Sequence, residues 1–288
     1  MTVAHVFAGQ GSQRVGMGAD LLGSYPNLVR QADAALGYSI ADLCLNGPAE
    51  RLSDTRYTQP AIYVVDALAY VDSVRTTGVI PDVVAGHSLG EYAALFAAGA
   101  FDFRTGLEIV ARRAALMAEA GAGAMAAVIG LAESEVREVL DAEDTDVDLA
   151  NLNAPDQIVV SGSPAGIRQV TQALSPRATA VVPLPVSGAF HSRHMRPAAE
   201  TFDRFLRQYV FGRLKIPVIA NATARPYEDT GIRELLSRQL WSPVRWTDTV
   251  HHLLTLPDCE LREIGPGNVL TGLTRRIREA REAAGTPG

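Results

Sequence analysis

The stretch VVAGHSLGEYAALFAAG, residues 83–99, constrains the fold of this chain more than any other part of its sequence. A short apolar run ends at Gly86, and an alanine-rich segment begins at Gly90. Ser88 stands between them in the pattern Gly-x-Ser-x-Gly, which is typical of a nucleophile elbow. A strand that reverses sharply into a helix leaves no space for side chains beside the turn, which explains both glycines. The stretch predicts a buried strand, a tight turn with an exposed serine hydroxyl, and a helix.

Strand and helix patterns alternate on both sides of this turn. The segment TVAHVFA predicts a first strand that leads into the glycine turn GQGSQ. Helical spacing of apolar residues follows over residues 58–78 and again over 103–120. Alternating strands and helices predict an α/β fold, in which a parallel sheet carries helices on its faces.

The pattern changes between residues 125 and 188. GAMAAVIGL, DLANLNAP, DQIVVSG and ATAVVPLPVS read as strands, and the helical segments ESEVREVLDA and SPAGIRQVTQALS fall between them. The resulting order, βαββαβ, is that of a ferredoxin-like unit. We therefore expect residues 125–188 to form a small inserted subdomain.

Composition excludes several classes of function. The chain has 288 residues, 47% of them hydrophobic and 20% charged, as in an ordinary globular protein. Its formal net charge of −6 argues against nucleic acid as a partner. Neither a signal peptide nor an uninterrupted apolar segment of membrane-spanning length is evident, so we expect a cytoplasmic protein without a membrane partner. Cys44 and Cys259 lie far apart without metal-ligand spacing, so no metal site is expected.

A nucleophilic serine needs a base, and six histidines are candidates. His5 lies in the first predicted strand, and His87 should point across the elbow. His251 and His252 fall on an amphipathic helix, where packing or surface roles are expected. Two histidines remain, in PVSGAFHSRHM: His191, which follows a strand, and His194, which lies within a predicted helix. We prefer His191, because catalytic groups in open α/β sheets gather where strands end.

The serine also needs donors for a developing oxyanion. The amide of Leu89, next in the chain, is one candidate, since the start of the following helix adds positive potential there. No histidine is followed by glycine, so the HGGG-type loop of many hydrolases is missing. The Gln10 amide, in the turn after the first strand, is the second candidate. Arg14 occupies the position of a third glycine, which argues against a dinucleotide site at this turn.

Two adjacent arginines lie on opposite sides of a predicted helix in IVARRAALMAE. Arg113 shares a face with Ile109 and Met117, whereas Arg112 shares one with Glu108 and faces water. A cation on the apolar side needs an anionic partner. That partner is either an internal carboxylate or the carboxylate of a substrate, which a guanidinium can bind with two hydrogen bonds.

Seven motifs, in order along almost the whole chain, resemble the malonyl-CoA:acyl carrier protein transacylase family. They are GQGSQ, TQPA, GHSLGEYAAL, RAALM, GAFHS, QLWSPVRW and GPGNVLTGL. The resemblance implies an α/β-hydrolase-like large subdomain, residues 1–124 and 189–288, with a ferredoxin-like small subdomain, residues 125–188.

The resemblance also implies roles for individual residues. Ser88 would be the nucleophile, His191 its base, and Arg113 the anchor of the substrate carboxylate. The amides of Gln10 and Leu89 would bind the oxyanion, and the backbone carbonyl of Gln239 would orient His191 in place of a triad acid. Phe190 would limit the space for a substituent on the malonyl group. Gly188 departs from the histidine common in modular polyketide malonyl domains.

The implied reaction is ping-pong transfer of malonyl from malonyl-CoA to the phosphopantetheine thiol of an acyl carrier protein, without a metal or redox cofactor. We expect a monomer that acts as a discrete enzyme, because the chain begins at its first strand and ends soon after LTGLTRRI. GYSIADLC and RLSDTRYTQPAIYVVDALAY resemble stand-alone acyltransferases that serve the carrier domains of polyketide synthases. The alternatives are a transacylase of fatty acid synthesis, an editing acyl-thioester hydrolase on the same fold, and a non-catalytic carrier-binding module.

Carrier proteins are usually acidic, so we expect them to dock on arginines. The candidates follow the predicted base and occupy the last helix: Arg193, Arg196, Arg204, Arg207, Arg275 and Arg276.

Overall fold

The computed structural model describes residues 1–228 and 230–285. Residues 286–288, which end the predicted large subdomain, lie outside the described residues. The strands are β1 (Thr2–Phe7), β2 (Val83–Gly86), β3 (Ala124–Ile129), β4 (Asp148–Ala154), β5 (Gln157–Gly162), β6 (Ala180–Pro183), β7 (Val218–Ile219) and β8 (Cys259–Ile264).

Helices account for most of the remaining chain. They are α1 (Ala19–Leu22), α2 (Pro26–Leu36), α3 (Ile40–Asn46), α4 (Ala49–Ser53), α5 (Thr55–Thr77), α6 (Gly90–Ala97), α7 (Phe103–Glu119), α8 (Glu133–Glu143), α9 (Pro164–Leu174), α10 (Arg196–Leu206), α11 (Ile232–Gln239), α12 (Trp246–Leu253) and α13 (Val269–Ala283). Within residues 1–228 and 230–285, no helix combines the length and apolar character needed to cross a membrane.

Four strands form a parallel sheet in the order β7-β2-β1-β8. Alternate side chains of these strands enter two different hydrophobic cores. Phe7 and Val84 pack with residues of α5, α6 and α7, whereas Val6 and Ala85 pack with residues of α12 and α13. Helices therefore cover both faces of the sheet, as its short apolar inner strand β2 requires.

The turn between β2 and α6 is built on the two glycines. A Cβ atom on Gly86 would lie 1.9 Å from the carbonyl carbon of Gly90, and one on Gly90 would lie 2.0 Å from the carbonyl oxygen of Phe7. Ser88, at the apex, has a φ of +52°, a conformation uncommon outside glycine. Because Phe7 pairs with Gly86 across the sheet, the turn that follows β1 lies beside the turn that carries Ser88.

A second sheet contains the strands of the insertion. Its order is β4-β5-β3-β6, and all neighbours run antiparallel. Residues of α8 and α9 pack on one face of this sheet in a separate apolar core. The predicted fold class, α/β with a parallel core and an inserted βαββαβ unit, is confirmed. The residue bounds of the two subdomains remain a prediction.

The second sheet joins the rest of the protein along β4. The amide of Leu152 donates to the carbonyl of Val244 at 2.9 Å, and the amide of Val244 donates to the carbonyl of Ala150 at 2.9 Å. Val244 follows α11, which carries Gln239 at its end. This junction brings β4 and the end of α11 to the same side of the molecule as Ser88.

Candidate active site

The buried side chain of Asn221 helps to hold the backbone around Ser88. Asn221, which follows β7, accepts a hydrogen bond from the Ser88 amide at 2.7 Å through its Oδ1. Its Nδ2 donates to the carbonyl of Gly86 at 2.6 Å. Asn221 therefore connects the start of the turn, at Gly86, to its apex and stabilises the left-handed conformation of Ser88.

His191 lies next to the serine hydroxyl. Its Nε2 is 2.8 Å from Ser88 Oγ, and its Nδ1 is 2.9 Å from the backbone carbonyl of Gln239. Since a carbonyl only accepts, Nδ1 carries the proton and Nε2 is free to accept one. Burial, and then the nearby positive charge of Arg113, lowers the pKa of His191 to about 3. The imidazole is thus neutral, the state that a general base requires.

The prediction that His191 lies at the end of a strand of the parallel sheet was wrong. His191 does not end a strand of the parallel sheet, because the strand before it, β6, belongs to the antiparallel sheet and ends at Pro183. His191 lies in an irregular segment with a φ of +58°. Its amide donates to the carbonyl of Leu240 at 3.1 Å, so contacts with the end of α11 fix its position.

Three of the other histidines make contacts elsewhere. His87 Nε2 lies 2.8 Å from Asn153 Oδ1 on β4, and His194 Nε2 lies 3.0 Å from the carbonyl of Asp146. His5 is buried under Tyr70, with ring centroids 6.3 Å apart. None of these three contacts involves Ser88.

Arg113 is buried, with 1% of its surface exposed, and its guanidinium points at the serine. Nη2 donates to Ser88 Oγ at 3.1 Å and to Gln239 Oε1 at 3.0 Å. Nη1 donates to Gln59 Oε1 at 2.6 Å. All three acceptors are neutral, and within the described residues Arg113 has no carboxylate within ion-pair distance. The alternative of an internal salt bridge is therefore not what the structure contains.

Gln10 and Leu89 also lie at the serine. A Cβ atom on Gly9 would lie 3.5 Å from the Leu89 nitrogen, so the Gly9–Gln10 peptide runs alongside Leu89. The Gln10 side chain is turned away, since its Nε2 donates to Thr55 Oγ1 at 3.2 Å. Both residues line the same cavity as Ser88.

This cavity is small, about 100 Å³, and mostly apolar apart from the groups described. Phe190 lines it, and its ring lies over Gly188, where a Cβ atom would be only 2.3 Å from Phe190 Cε1. Residues 188 and 190 are therefore coupled, because any side chain at 188 would move the ring. The remaining apolar lining consists of Met117, Met125, Leu184 and Val186.

A larger groove, of about 480 Å³, begins on the outer side of His191. Three arginines line it, Arg137, Arg193 and Arg196, together with Asp148, which pairs with Arg193. The Arg196 guanidinium stacks over the Trp241 ring at 4.5 Å. His191 therefore separates a narrow inner cavity from a wider basic groove that is open to solvent.

Four contributors were missed by sequence reasoning: Gln59, Glu91, Asn221 and Tyr227. Gln59 belongs to TQPA, and Glu91 follows Ser88 by three residues, so a motif signal existed for both. Asn221 and Tyr227 carry no local pattern, since they reach the site from more than 130 residues away. Among the described residues, no group of three histidine, cysteine or acidic side chains could hold a metal ion.

The fold and these groups define an α/β protein in which a serine at a nucleophile elbow meets a histidine and a buried arginine. A model of the acyl transferase domain matches residues 4–277. The chain belongs to this acyl transferase family.

Relatives in the family are similar over nearly the whole chain. The polyketide biosynthesis malonyl CoA-acyl carrier protein transacylase PksC of Bacillus subtilis is 49% identical over 284 residues, which cover 98% of this chain and 99% of that protein. The crystal structure of a malonyl CoA-acyl carrier protein transacylase from Burkholderia pseudomallei is 44% identical, with a TM-score of 0.95 and full coverage of both chains. A malonyl-transacylase in complex with its type II PKS acyl-carrier protein is 38% identical, with a TM-score of 0.92, over 97% of this chain and 94% of that one.

Proposed function

We propose that this chain transfers malonyl from malonyl-CoA to the phosphopantetheine thiol of an acyl carrier protein. One observation carries the proposal: Ser88 Oγ is in hydrogen-bond contact with both His191 Nε2 and Arg113 Nη2. A nucleophile, its base and a buried cation thus meet at one atom. The combination suits a short acyl group that ends in a carboxylate.

In the first half-reaction Ser88 Oγ attacks the thioester carbonyl carbon while His191 Nε2 takes the hydroxyl proton. The amides of Gln10 and Leu89 stabilise the oxyanion of the tetrahedral intermediate. The carbon–sulfur bond then breaks, and His191 returns the proton to the CoA sulfur. A malonyl-serine ester and a neutral imidazole remain, so the step is balanced without a redox partner or a metal.

The second half-reaction reverses these steps with a different thiol. The carrier's phosphopantetheine sulfur loses its proton to His191 and attacks the ester carbonyl, and the proton passes on to Ser88 Oγ. The Gln239 carbonyl holds the imidazole in one tautomer throughout and stabilises the imidazolium, the role that a carboxylate has in a triad.

Arg113 selects the substrate in this account. The malonyl carboxylate is the anion that the buried guanidinium lacks within the protein. Phe190 restricts the space near the α-carbon, so malonyl is favoured over α-substituted units. A hydrolase of neutral acyl chains would gain nothing from Arg113, and that argues against the editing alternative.

We further propose that the carrier belongs to a polyketide synthase and that the enzyme acts in trans, as a cytoplasmic protein. The high identity to a polyketide biosynthesis transacylase over its full length supports this assignment. The basic groove beside His191 is where the phosphopantetheine arm and its acidic carrier would approach. No cofactor is needed beyond the phosphopantetheine that the carrier brings.

The test is a transfer assay with two carriers from the same host, one from polyketide and one from fatty acid synthesis. Malonyl-CoA, enzyme and holo carrier should give malonyl-carrier with ping-pong kinetics, and the apo carrier should remain unchanged. Release of free malonate faster than transfer would contradict a transferase. A strong preference for the fatty acid carrier would overturn only the pathway assignment.

A further inference from the structure

Glu91, next to the candidate active site, is a buried carboxylate that does not line the substrate cavity and has no role in the proposed reaction. It lies in the first turn of α6, where the helix N-terminus favours negative charge. Its Oε1 accepts from the Asn221 amide at 3.0 Å and from the Tyr227 hydroxyl at 2.6 Å. Its Oε2 accepts from Gln239 Nε2.

The Gln239 side chain connects Glu91 to the catalytic groups. Its Nε2 also donates to the carbonyl of Ser88 at 2.7 Å, and its Oε1 accepts from Arg113 Nη2 at 3.0 Å. Two acceptors on one side of the amide and one donor on the other allow a single orientation. When ionised, Glu91 is the charged member of the pair of acceptors and then contributes most to fixing that orientation.

The amide also keeps two buried charges apart. Arg113 and ionised Glu91 are opposite in sign, yet the Gln239 amide stands between them, so the guanidinium is not neutralised by direct contact. The positive charge of Arg113 is balanced through one intervening group and is still available to a carboxylate in the cavity. A direct ion pair would have to be broken by each substrate that binds.

We propose that Glu91 is a positioning residue that sets the Gln239 amide, and through it the substrate-binding face of Arg113. The inference rests on the proposed function. Glu91 touches neither substrate nor reacting atoms, and it acts only through the orientation of a neighbour. Losing it should therefore affect malonyl more than acetyl, since acetyl has no carboxylate for Arg113.

The first variant is Glu91→Gln, which keeps the size of the side chain. The oxygen of the new amide will accept from the two groups that donate to Oε1 in the wild type, the Asn221 backbone amide and the Tyr227 hydroxyl, because the backbone amide cannot move. Its NH₂ group will then face the NH₂ of Gln239, and Gln239 must turn and present a donor to Arg113. We expect the ratio of malonyl to acetyl loading on Ser88 to fall by at least about tenfold, as loss of one hydrogen bond to a charged group implies.

The second variant is Gln239→Met, which removes the bridging amide and leaves the backbone carbonyl that holds His191. It should lower the same ratio to a similar extent. The double variant should be no worse than Gln239→Met alone, because Glu91 then has nothing to orient. Glu108→Gln is the matched control: it changes a carboxylate on α7 that pairs with Arg104 and does not line the cavity, so the ratio should stay within about twofold of wild type.

Loading is measured by intact mass with each acyl-CoA in separate time courses. Absence of a malonyl adduct on the wild-type protein would defeat the proposed function itself. If the wild-type protein is labelled, three results would overturn the positioning role. They are an unchanged ratio in Glu91→Gln, an equal loss of malonyl and acetyl loading in that variant, and additive effects in the double variant. Should Glu91→Gln fail to fold, an unchanged ratio in Gln239→Met would overturn it alone.

Discussion

At the scale of single residues, Arg113 is a buried cation in a demanding environment. Its charge is buried, its partners Gln59, Gln239 and Ser88 are neutral, and its guanidinium stacks 5.3 Å from the Tyr92 ring. Burial lowers the pKa of Arg113. A cation placed in this way is stabilised strongly by an incoming anion, and that is why we assign the carboxylate of the substrate to it.

Arg113→Ala should abolish the preference for malonyl. We expect malonyl loading to fall about tenfold to more than a hundredfold relative to acetyl loading, the value of a charge-assisted hydrogen bond. Rates of self-acylation with malonyl-CoA and acetyl-CoA measure this directly. Arg112→Ala is the control, since Arg112 is partly exposed on the same helix. If Arg113→Ala lowered the loading rates with malonyl-CoA and acetyl-CoA equally, Arg113 would have only a structural role.

Glu91 gives the molecule a stability that depends on pH. Burial raises the pKa of its carboxyl to about 7, although Tyr227, the Asn221 amide, Gln239 and Arg113 all act to lower it. The Glu91 carboxyl therefore binds its proton more tightly in the folded chain than in the unfolded chain. The resulting stabilisation is complete below about pH 4.5 and is lost as the pH rises through about 7.

Relative to Glu91→Gln, the wild-type free energy of unfolding should thus decrease between about pH 5 and pH 8, by up to about 3 kcal/mol. Urea unfolding of both proteins at the two pH values measures the difference. Other titrating groups are common to both proteins and cancel. A difference that does not change with pH would mean that Glu91 has an ordinary pKa.

At the scale of secondary-structure elements, the site depends on how closely β1, β2 and α6 approach. The glycines at 86 and 90 let the chain reverse within van der Waals contact of β1. The register that pairs Phe7 with Gly86 places the Gln10 turn beside the serine. The catalytic geometry is therefore set by backbone packing rather than by the loops alone.

Gly86→Ala should destabilise the fold by at least about 3 kcal/mol, because the new methyl group would meet backbone atoms that cannot move separately. Gly272→Ala on α13 is the control, since a Cβ atom there has nothing within 4 Å. That change should stabilise the chain by about 0.5–1 kcal/mol, the helix propensity of alanine over glycine. Urea unfolding measures both, and equal tolerance of the two changes would contradict the packing account.

The sequence predicts these elements because their signals are local. Gly-x-Ser-x-Gly marks the elbow, and the helical face of Arg113 follows from spacing alone. The position of His191 does not follow from strand order, because it is fixed by contacts with residues 239 and 240, almost 50 residues away. Asn221 and Tyr227 likewise depend on tertiary contacts that no periodicity encodes.

At the scale of the whole molecule, the inner cavity lies between the two sheets. Met125 on β3 and Asn151 on β4 line it from the antiparallel sheet, and Ser88 after β2 and Arg113 on α7 line it from the other side. Of the six arginines suggested as a docking surface, three form ion pairs: Arg193 with Asp148, Arg207 with Asp203, and Arg276 with Asp156. Arg196 is different, because it stacks on Trp241 and lines the groove that begins at His191.

Arg196→Glu should raise the KM for the carrier without changing the rate of self-malonylation, with an effect that weakens as salt is added. Arg168→Glu is the control, because Arg168 is exposed on α9, outside the residues that line the groove. Steady-state transfer assays at two ionic strengths separate the carrier step from the loading step. Equal effects of the two reversals would place carrier docking on another surface.

The central claim is that Ser88 carries the malonyl group between the two substrates. Intact-mass analysis of the protein after brief exposure to malonyl-CoA, followed by peptide mapping, tests it most directly. We predict that the wild-type mass increases by one malonyl group located on Ser88, that the adduct disappears when holo carrier is added, and that Ser88→Ala gains none. Normal labelling of Ser88→Ala, or an adduct on another residue, would contradict the account.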